Sequence, residues 1–475
     1  MRRKFLHDIS ANSLQVITSQ VCGLVIFYVL SLYFSKNDFG EINWSLAVLL
    51  TAFAILSLGI DQVMVQKVAA GEDPQNILSI YFFHVIAAGL IFYLLLLMTT
   101  LFFPAFQQNH RLLLFLGIGK LMIFFALPFK QLANGLEKFK TLFIMSVCSN
   151  IVRASALLSF AFFSKLNLTT VIIIFIAGDL TELLISYFIT KKILRISFNN
   201  QWTTKNYFSL LKASLPQAGV VVFTSAIARF DWIFLGILAS NIALAEYSFA
   251  YKVFEVTTLP LLVVAPLLVP RFTKLFRGDT KINMAGKIND LLSLLRFEII
   301  TASLIALILN ILWIPVINLI TNGKYGTLNR YTILILSACM PFIYANNFLW
   351  SIHFSQRRLK MIFYIFFITF LVNVTGDIIL IPFFGGEGAA FAYLIAILLQ
   401  FIMFRTKTDV INLKQNIVFV ICPAIAFASG YLSYHTFDST WWQLISALLI
   451  FFLLLIFTRL IRKSDWYIIR KITQI

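Results

Sequence analysis

Arg229 and Asp231 stand two residues apart in a stretch, 214–239, that holds no other charge. Five bases (Lys120, Arg153, Arg229, Lys252 and Arg296) and seven acids (Asp61, Asp179, Glu182, Asp231, Glu255, Glu298 and Asp377) interrupt apolar segments in this way. An ionised side chain in such surroundings persists only when something answers it. A guanidinium keeps its charge when dehydrated, and its planar fork donates paired hydrogen bonds to a carboxylate or a phosphate. A buried carboxylate pairs with a base or takes up a proton or a metal cation. These residue types therefore point to three chemistries: inter-helix ion pairing, anion binding and ion coupling.

The spacings refine the choice without closing it. Asp231 lies two residues from Arg229, which sends the two side chains to different helix faces and makes Asp231 a candidate for a coupling proton or sodium ion. Asp179 and Glu182 sit one segment after Arg153 and are candidates both for coupling and for pairing with it. Lys252 and Glu255, three apart, are placed to pair with each other. Catalytic and metal chemistry find no such footing. The five histidines (His7, His84, His110, His353, His435) are dispersed, and the four cysteines (Cys22, Cys148, Cys339, Cys422) fall one to a distant segment, without disulfide or ligand spacing. Asp38-Phe39-Gly40 lies in a short loop with no glycine-rich phosphate loop and no catalytic Asp loop, so it is not a kinase motif. No catalytic residue, metal or cofactor is expected beyond a coupling ion.

The elements that must position these charges are helices in a bilayer. The 475 residues are 60% hydrophobic and 12% charged, with 50 Phe. About 20 apolar residues cross the ~30 Å hydrocarbon layer as a helix, which satisfies its own backbone. About fourteen such spans follow one another: 12–34, 42–66, 78–103, 112–133, 141–163, 169–190, 214–239, 246–270, 291–320, 331–353, 361–383, 388–404, 417–434 and 441–460. The fold class is thus all-α and integral to the membrane. The first span follows Arg2, Arg3 and Lys4 but is too long for a signal-peptide core and has no small-residue cleavage site after it, so it reads as a retained helix. At ~1.5 Å per residue, Arg153 lies ~18 Å and Arg229 ~22 Å from the inner ends of their helices.

An even number of spans puts both termini on one side. Of the 38 Lys and Arg, five fall in the opposite gaps (Lys36, Arg111, Lys165, Lys324, Arg330) and five inside spans, leaving 28 on the side of the termini. The positive-inside rule makes that side cytoplasmic. Anionic lipid headgroups account for the net charge of +18, and nucleic acid is not an expected partner.

The polar, basic loop 191–213 divides the chain into an N-terminal six-helix lobe (1–190), a linker (191–213), a second six-helix lobe (214–404) and a terminal helix pair with a basic tail (405–475). Gly40 to Ser45 echoes Ala245 to Ala250 at an offset of 205 residues. Lobes related in this way rock about a central site in many secondary transporters, and Pro128, Pro260, Pro266, Pro315, Pro341 and Pro423 mark places where helices bend, for that motion or for packing alone.

Several segments carry a further resemblance: Phe34 to Gly40, Ser57 to Asp61, Asn134 to Lys140, Ser214 to Pro216, Ala228 to Asp231 with Leu235-Gly236, Tyr247 to Tyr251, and Asn373 to Ala390. In order and spacing the chain resembles the multidrug/oligosaccharidyl-lipid/polysaccharide (MOP) exporter superfamily, and within it the polysaccharide flippases of the O-antigen (Wzx) type. The resemblance implies a transporter, not an enzyme. Its cargo would be an undecaprenyl-pyrophosphate-linked oligosaccharide for lipopolysaccharide or a similar polysaccharide, moved between leaflets of the cell inner membrane. Membrane lipids and other polysaccharide assembly proteins are the implied partners. Under that reading Arg229 comes first for pyrophosphate binding, with Arg153, Lys120, Lys252 and Arg296 beside it. Tyr247 and Tyr251 stack on sugar rings or belong to an interfacial aromatic belt. A peptidoglycan-precursor flippase and a drug or cation antiporter of the same superfamily remain alternatives, with a membrane glycan polymerase as a remote one.

Overall fold

The computed structural model describes residues 2–102, 111–198, 203–261, 268, 272, 284–408 and 413–460. Pro266, the middle of the basic segment from Arg271 to Lys287, four residues of the 191–213 loop and the basic tail beyond Leu460 lie outside the described residues. Every regular element among the described residues is helical: α1 (Arg2–Tyr33), α2 (Lys36–Leu56), α3 (Ile60–Ala69), α4 (Pro74–Phe102), α5 (Arg111–Gly135), α6 (Phe139–Phe162), α7 (Leu168–Lys192), α8 (Thr204–Leu238), α9 (Asn241–Thr257), α10 (Met284–Thr321), α11 (Arg330–Ser355), α12 (Leu359–Thr406), α13 (Leu413–Thr436) and α14 (Thr440–Phe457). Ten of them contain stretches long and apolar enough to cross a membrane.

Local chemistry sets several boundaries. Ser35 caps α2 by accepting from the Asp38 N–H at 3.1 Å, Asn167 caps α7 from Thr170 at 2.8 Å, and Thr203 caps α8 from Asn206 at 3.3 Å. The last of these starts α8 inside the segment expected as a loop. The second expected span, 42–66, is two helices. Leu58 and Gly59 take left-handed φ values of 49° and 69°, which end α2 and restart the chain as α3. The 48-residue α12 would be ~72 Å long if straight, more than twice the hydrocarbon thickness. It is instead a hairpin, because Gly385 (φ 54°, ψ −128°) breaks it and a Cβ on Gly376 would meet that of Ala392 at 2.8 Å. Its two arms correspond to the spans expected at 361–383 and 388–404.

The chain forms two compact units, Met1–Ala245 and Glu246–Ile475. In the first, α5 is central and packs on α2, α3, α4, α6 and α7, while α8 lies on α2 and α3 and α1 lies on α6. Cross-helix hydrogen bonds pin these contacts: the Tyr33 hydroxyl donates to Ala161 O at 3.0 Å and Trp44 Nε1 to Ile233 O at 3.2 Å. In the second, α10 packs on α11, α13 and α14, and α11 on α12. Asn346 Nδ2 on α11 donates to Ile397 O (3.1 Å) and Gln400 Oε1 (2.9 Å) on α12, and Phe249 stacks on Tyr325 with centroids 4.3 Å apart. Lipid gives helices little hydrophobic reason to associate, so such polar pins and close packing hold the units together.

Candidate functional site

Four of the expected site residues meet in the first unit. Asp179 and Glu182 are three apart on α7 and so share a face. Gly119 on α5 and Gly178 on α7 leave room there: a Cβ at Gly119 would stand 2.6 Å from Asp179 Oδ2, and one at Gly178 would collide with the Arg153 side chain. Into that room come Lys120 Nζ from α5, 2.7 Å from Asp179 Oδ2, and Arg153 Nη1 from α6, 2.7 Å from Asp179 Oδ1. Arg153 Nη2 lies 3.7 Å from Glu182 Oε2 and donates to Ser149 Oγ (3.1 Å) and Asn150 Oδ1 (3.0 Å). Glu182 also receives Ser149 Oγ and Lys130 Nζ, each at 2.5 Å. Asp179 is fully buried, and Lys120, Arg153 and Glu182 nearly so. Phe175 lies under both Lys120 and Arg153, at 5.2 and 6.0 Å. Three cations therefore meet two carboxylates in one network, which leaves a surplus of one positive charge. Ion pairing is what this geometry does for Arg153, Lys120, Asp179 and Glu182. Sequence reasoning missed Lys130, which counted only as a base near a helix end.

Arg229 on α8 is different. Its guanidinium carbon lies 4.6 Å from the centroid of a Trp232 ring, and the half-buried side chain has a buried Nη1 without a hydrogen-bond partner. It stands in no ion pair among the described residues. Its neighbour Asp231 is buried and accepts from the Trp232 N–H at 2.8 Å.

In the second unit Lys252 and Glu255 pair on α9 at 2.7 Å, as their spacing predicted. Glu255 also borders a cavity of about 320 Å³, together with Tyr251, Phe254, Thr258, Asn347 and Tyr393. Tyr247, the other tyrosine singled out, is fully buried against Gly386 and serves packing. Arg296 is half-buried on α10, and neither carboxylate oxygen of buried Glu298 finds a hydrogen bond. Asp377 on α12 is buried beside Asn373, whose Nδ2 donates to it at 2.7 Å. Among the described residues no three His, Cys, Asp or Glu side chains converge as a metal site. Phe254, Asn347 and Tyr393 carried no sequence signal, since uncharged residues in apolar runs become notable only when folding brings them beside a cavity or a charge.

The family profile described as "Polysaccharide biosynthesis protein" matches residues 5–276. No curated protein sequence matches the chain. Among solved structures, the lipid II flippase MurJ in an inward closed conformation is similar at 16% identity and a TM-score of 0.73, over 94% of this chain and 98% of that one. A multidrug resistance MATE family transporter of the MOP superfamily, inward-facing, matches at 11% identity and a TM-score of 0.63, covering 82% and 94%. The Vibrio cholerae MATE transporter VcmN in its bent form matches at 12% identity and a TM-score of 0.54, covering 89% and 99%. At such identities the likeness speaks for the fold, and the profile, spanning more than half of the chain, speaks for descent. On the fold of the MOP-superfamily transporters, then, this chain is a member of the polysaccharide biosynthesis protein family.

Proposed function

We propose that this protein is a flippase that carries an undecaprenyl-pyrophosphate-linked oligosaccharide, an O-antigen unit or a similar polysaccharide repeat, from the cytoplasmic to the outer leaflet of the cell inner membrane. The head of such a lipid is hydrated and anionic, so ~30 Å of hydrocarbon stops it unless a carrier offers polar surface and positive charge at depth. Arg229 is the observation that supports this reading best: a guanidinium on an apolar helix, with one nitrogen buried and unanswered, is available to a phosphate oxygen. Lys120 and Arg153 already have carboxylates, so they contribute the network's single surplus charge, and Lys252 and Arg296 are secondary. The two units alternate access by rocking, as in other secondary transporters. Asp231 takes the coupling proton or sodium ion, with Asp179 and Glu182 held back by their bases. Both termini face the cytoplasm, on the side richer in Lys and Arg.

Deleting the gene and analysing the lipid extract by mass spectrometry tests the cargo. A pyrophosphate-linked saccharide should build up facing the cytoplasm while cell-wall synthesis continues; undiminished display of the glycan contradicts the reading. The fold likeness to a lipid II flippase favours a second reading, a peptidoglycan-precursor cargo. In that case the accumulating species is that precursor, and cell-wall synthesis stops. Arg229→Ala should abolish surface glycan at an unchanged protein level, whereas disappearance of the protein would assign Arg229 to the scaffold.

A further inference from the structure

The cavity of the second unit is unlike the charged network of the first. At about 320 Å³ it is at the small end for ligand sites and has room for a single ring rather than a polyprenyl chain. Three of its residues form an aromatic wall. Tyr251, Phe254 and Tyr393 meet edge to face, with centroids 5.9, 6.2 and 6.4 Å apart and interplanar angles of 61°, 74° and 83°. Rings locked against one another present apolar area at little conformational cost.

Opposite chemistry stands beside that wall. Glu255 spends one oxygen, Oε2, on Lys252 at 2.7 Å and keeps Oε1 as an acceptor. The Asn347 carboxamide makes no hydrogen bond among the described residues, although its main-chain oxygen accepts from Ser351. The Thr258 hydroxyl donates to Glu255 O at 2.7 Å and retains its acceptor lone pairs. Tyr251 lies ten residues along α9 and Asn347 seventeen along α11, ~15 and ~26 Å from the helix starts, a depth at which an unanswered amide is costly unless water or a ligand meets it. The Lys252 pair cancels the charge of Glu255, so the cavity suits neither a strong anion nor a bare cation. A neutral molecule with one apolar face and several hydroxyl groups fits both walls.

We propose that this cavity takes one sugar ring of the lipid-linked cargo, its C–H face against Tyr251 and Tyr393 and its hydroxyls on Glu255 Oε1 and the Asn347 carboxamide. This rests on the reading that the cargo carries saccharide. It adds a division of labour: Arg229 in the first unit serves the phosphate, and an uncharged subsite in the second serves the sugar.

The test is saturation-transfer NMR on the full chain in lipid nanodiscs, with methyl glycosides of glucose, galactose, N-acetylglucosamine and rhamnose as probes. At least one glycoside should bind the native protein through its ring C–H protons. Binding should weaken about tenfold or more in Asn347→Leu and in Tyr393→Leu, each first shown to melt like the native chain, and should persist in Arg229→Ala. Should a variant not fold, Asn347→Ala and Tyr393→Met replace it with the same expected ordering. Failure of every glycoside to bind, equal binding by the folded variants, or displacement of the glycoside by tetraphenylphosphonium at lower concentration than by any sugar would overturn the subsite. Those outcomes leave the gene-deletion experiment untouched, because accumulation of lipid-linked saccharide tests the cargo and not where its sugar docks.

Discussion

Asp179 receives Lys120 on one oxygen and Arg153 on the other, and both bases are buried where that carboxylate meets them. Breaking a buried pair by removing one partner typically costs about 3–5 kcal/mol, because the charge left behind is unanswered. Asp179→Asn should therefore lower the melting temperature and the membrane yield, and adding Lys120→Met should recover part of the loss, since the two sites are coupled. Additive losses in detergent thermal unfolding would argue against a shared network. Asp231 on α8 is buried and accepts from the Trp232 main-chain N–H at 2.8 Å, and it is the coupling group proposed above. Asp231→Asn should leave the fold intact and make export insensitive to collapse of the ion gradient; unchanged dependence on the gradient removes the assignment.

The turn in α12 depends on one residue. Gly385 has a positive φ with ψ near −128°, a region that a Cβ makes strongly unfavourable, and the arms on either side approach within side-chain contact at Gly376 and Ala392. Gly385→Ala should cost about 1–3 kcal/mol and reduce the folded fraction in detergent, while Gly23→Ala, with open space around the added methyl, should be silent. Equal yields from the two variants would contradict the hairpin. The two arms of α12 were readable beforehand because the apolar run divides into the spans 361–383 and 388–404. The α2–α3 break was not, because Leu58 and Gly59 stop a helix without interrupting the apolar run. The early start of α8 was hidden in polar residues that serve equally as a loop, until Thr203 caps them. The pairing of Arg153 with Asp179 and Glu182 was legible from consecutive spans, whereas Lys120 and Lys130 join only because α5 is the central helix. The cavity drew on α9, α11 and the second arm of α12, three segments far apart in sequence, so no local pattern announced it.

Across the whole molecule, charge is arranged at two levels. In the sequence twenty-eight bases fall on the side of the termini, which the positive-inside rule reads as the cytoplasmic side, while six of the twelve intramembrane charges are paired with one another. Against that background the unanswered guanidinium nitrogen of Arg229 is the feature on which the proposed anionic cargo rests. The most direct measurement replaces the four native cysteines, introduces Arg229→Cys and follows its modification by a charged, membrane-impermeant thiosulfonate in cells and in inverted vesicles. The account predicts modification from at least one side. A position that stays unmodified from both sides, with the protein folded and inserted, contradicts it.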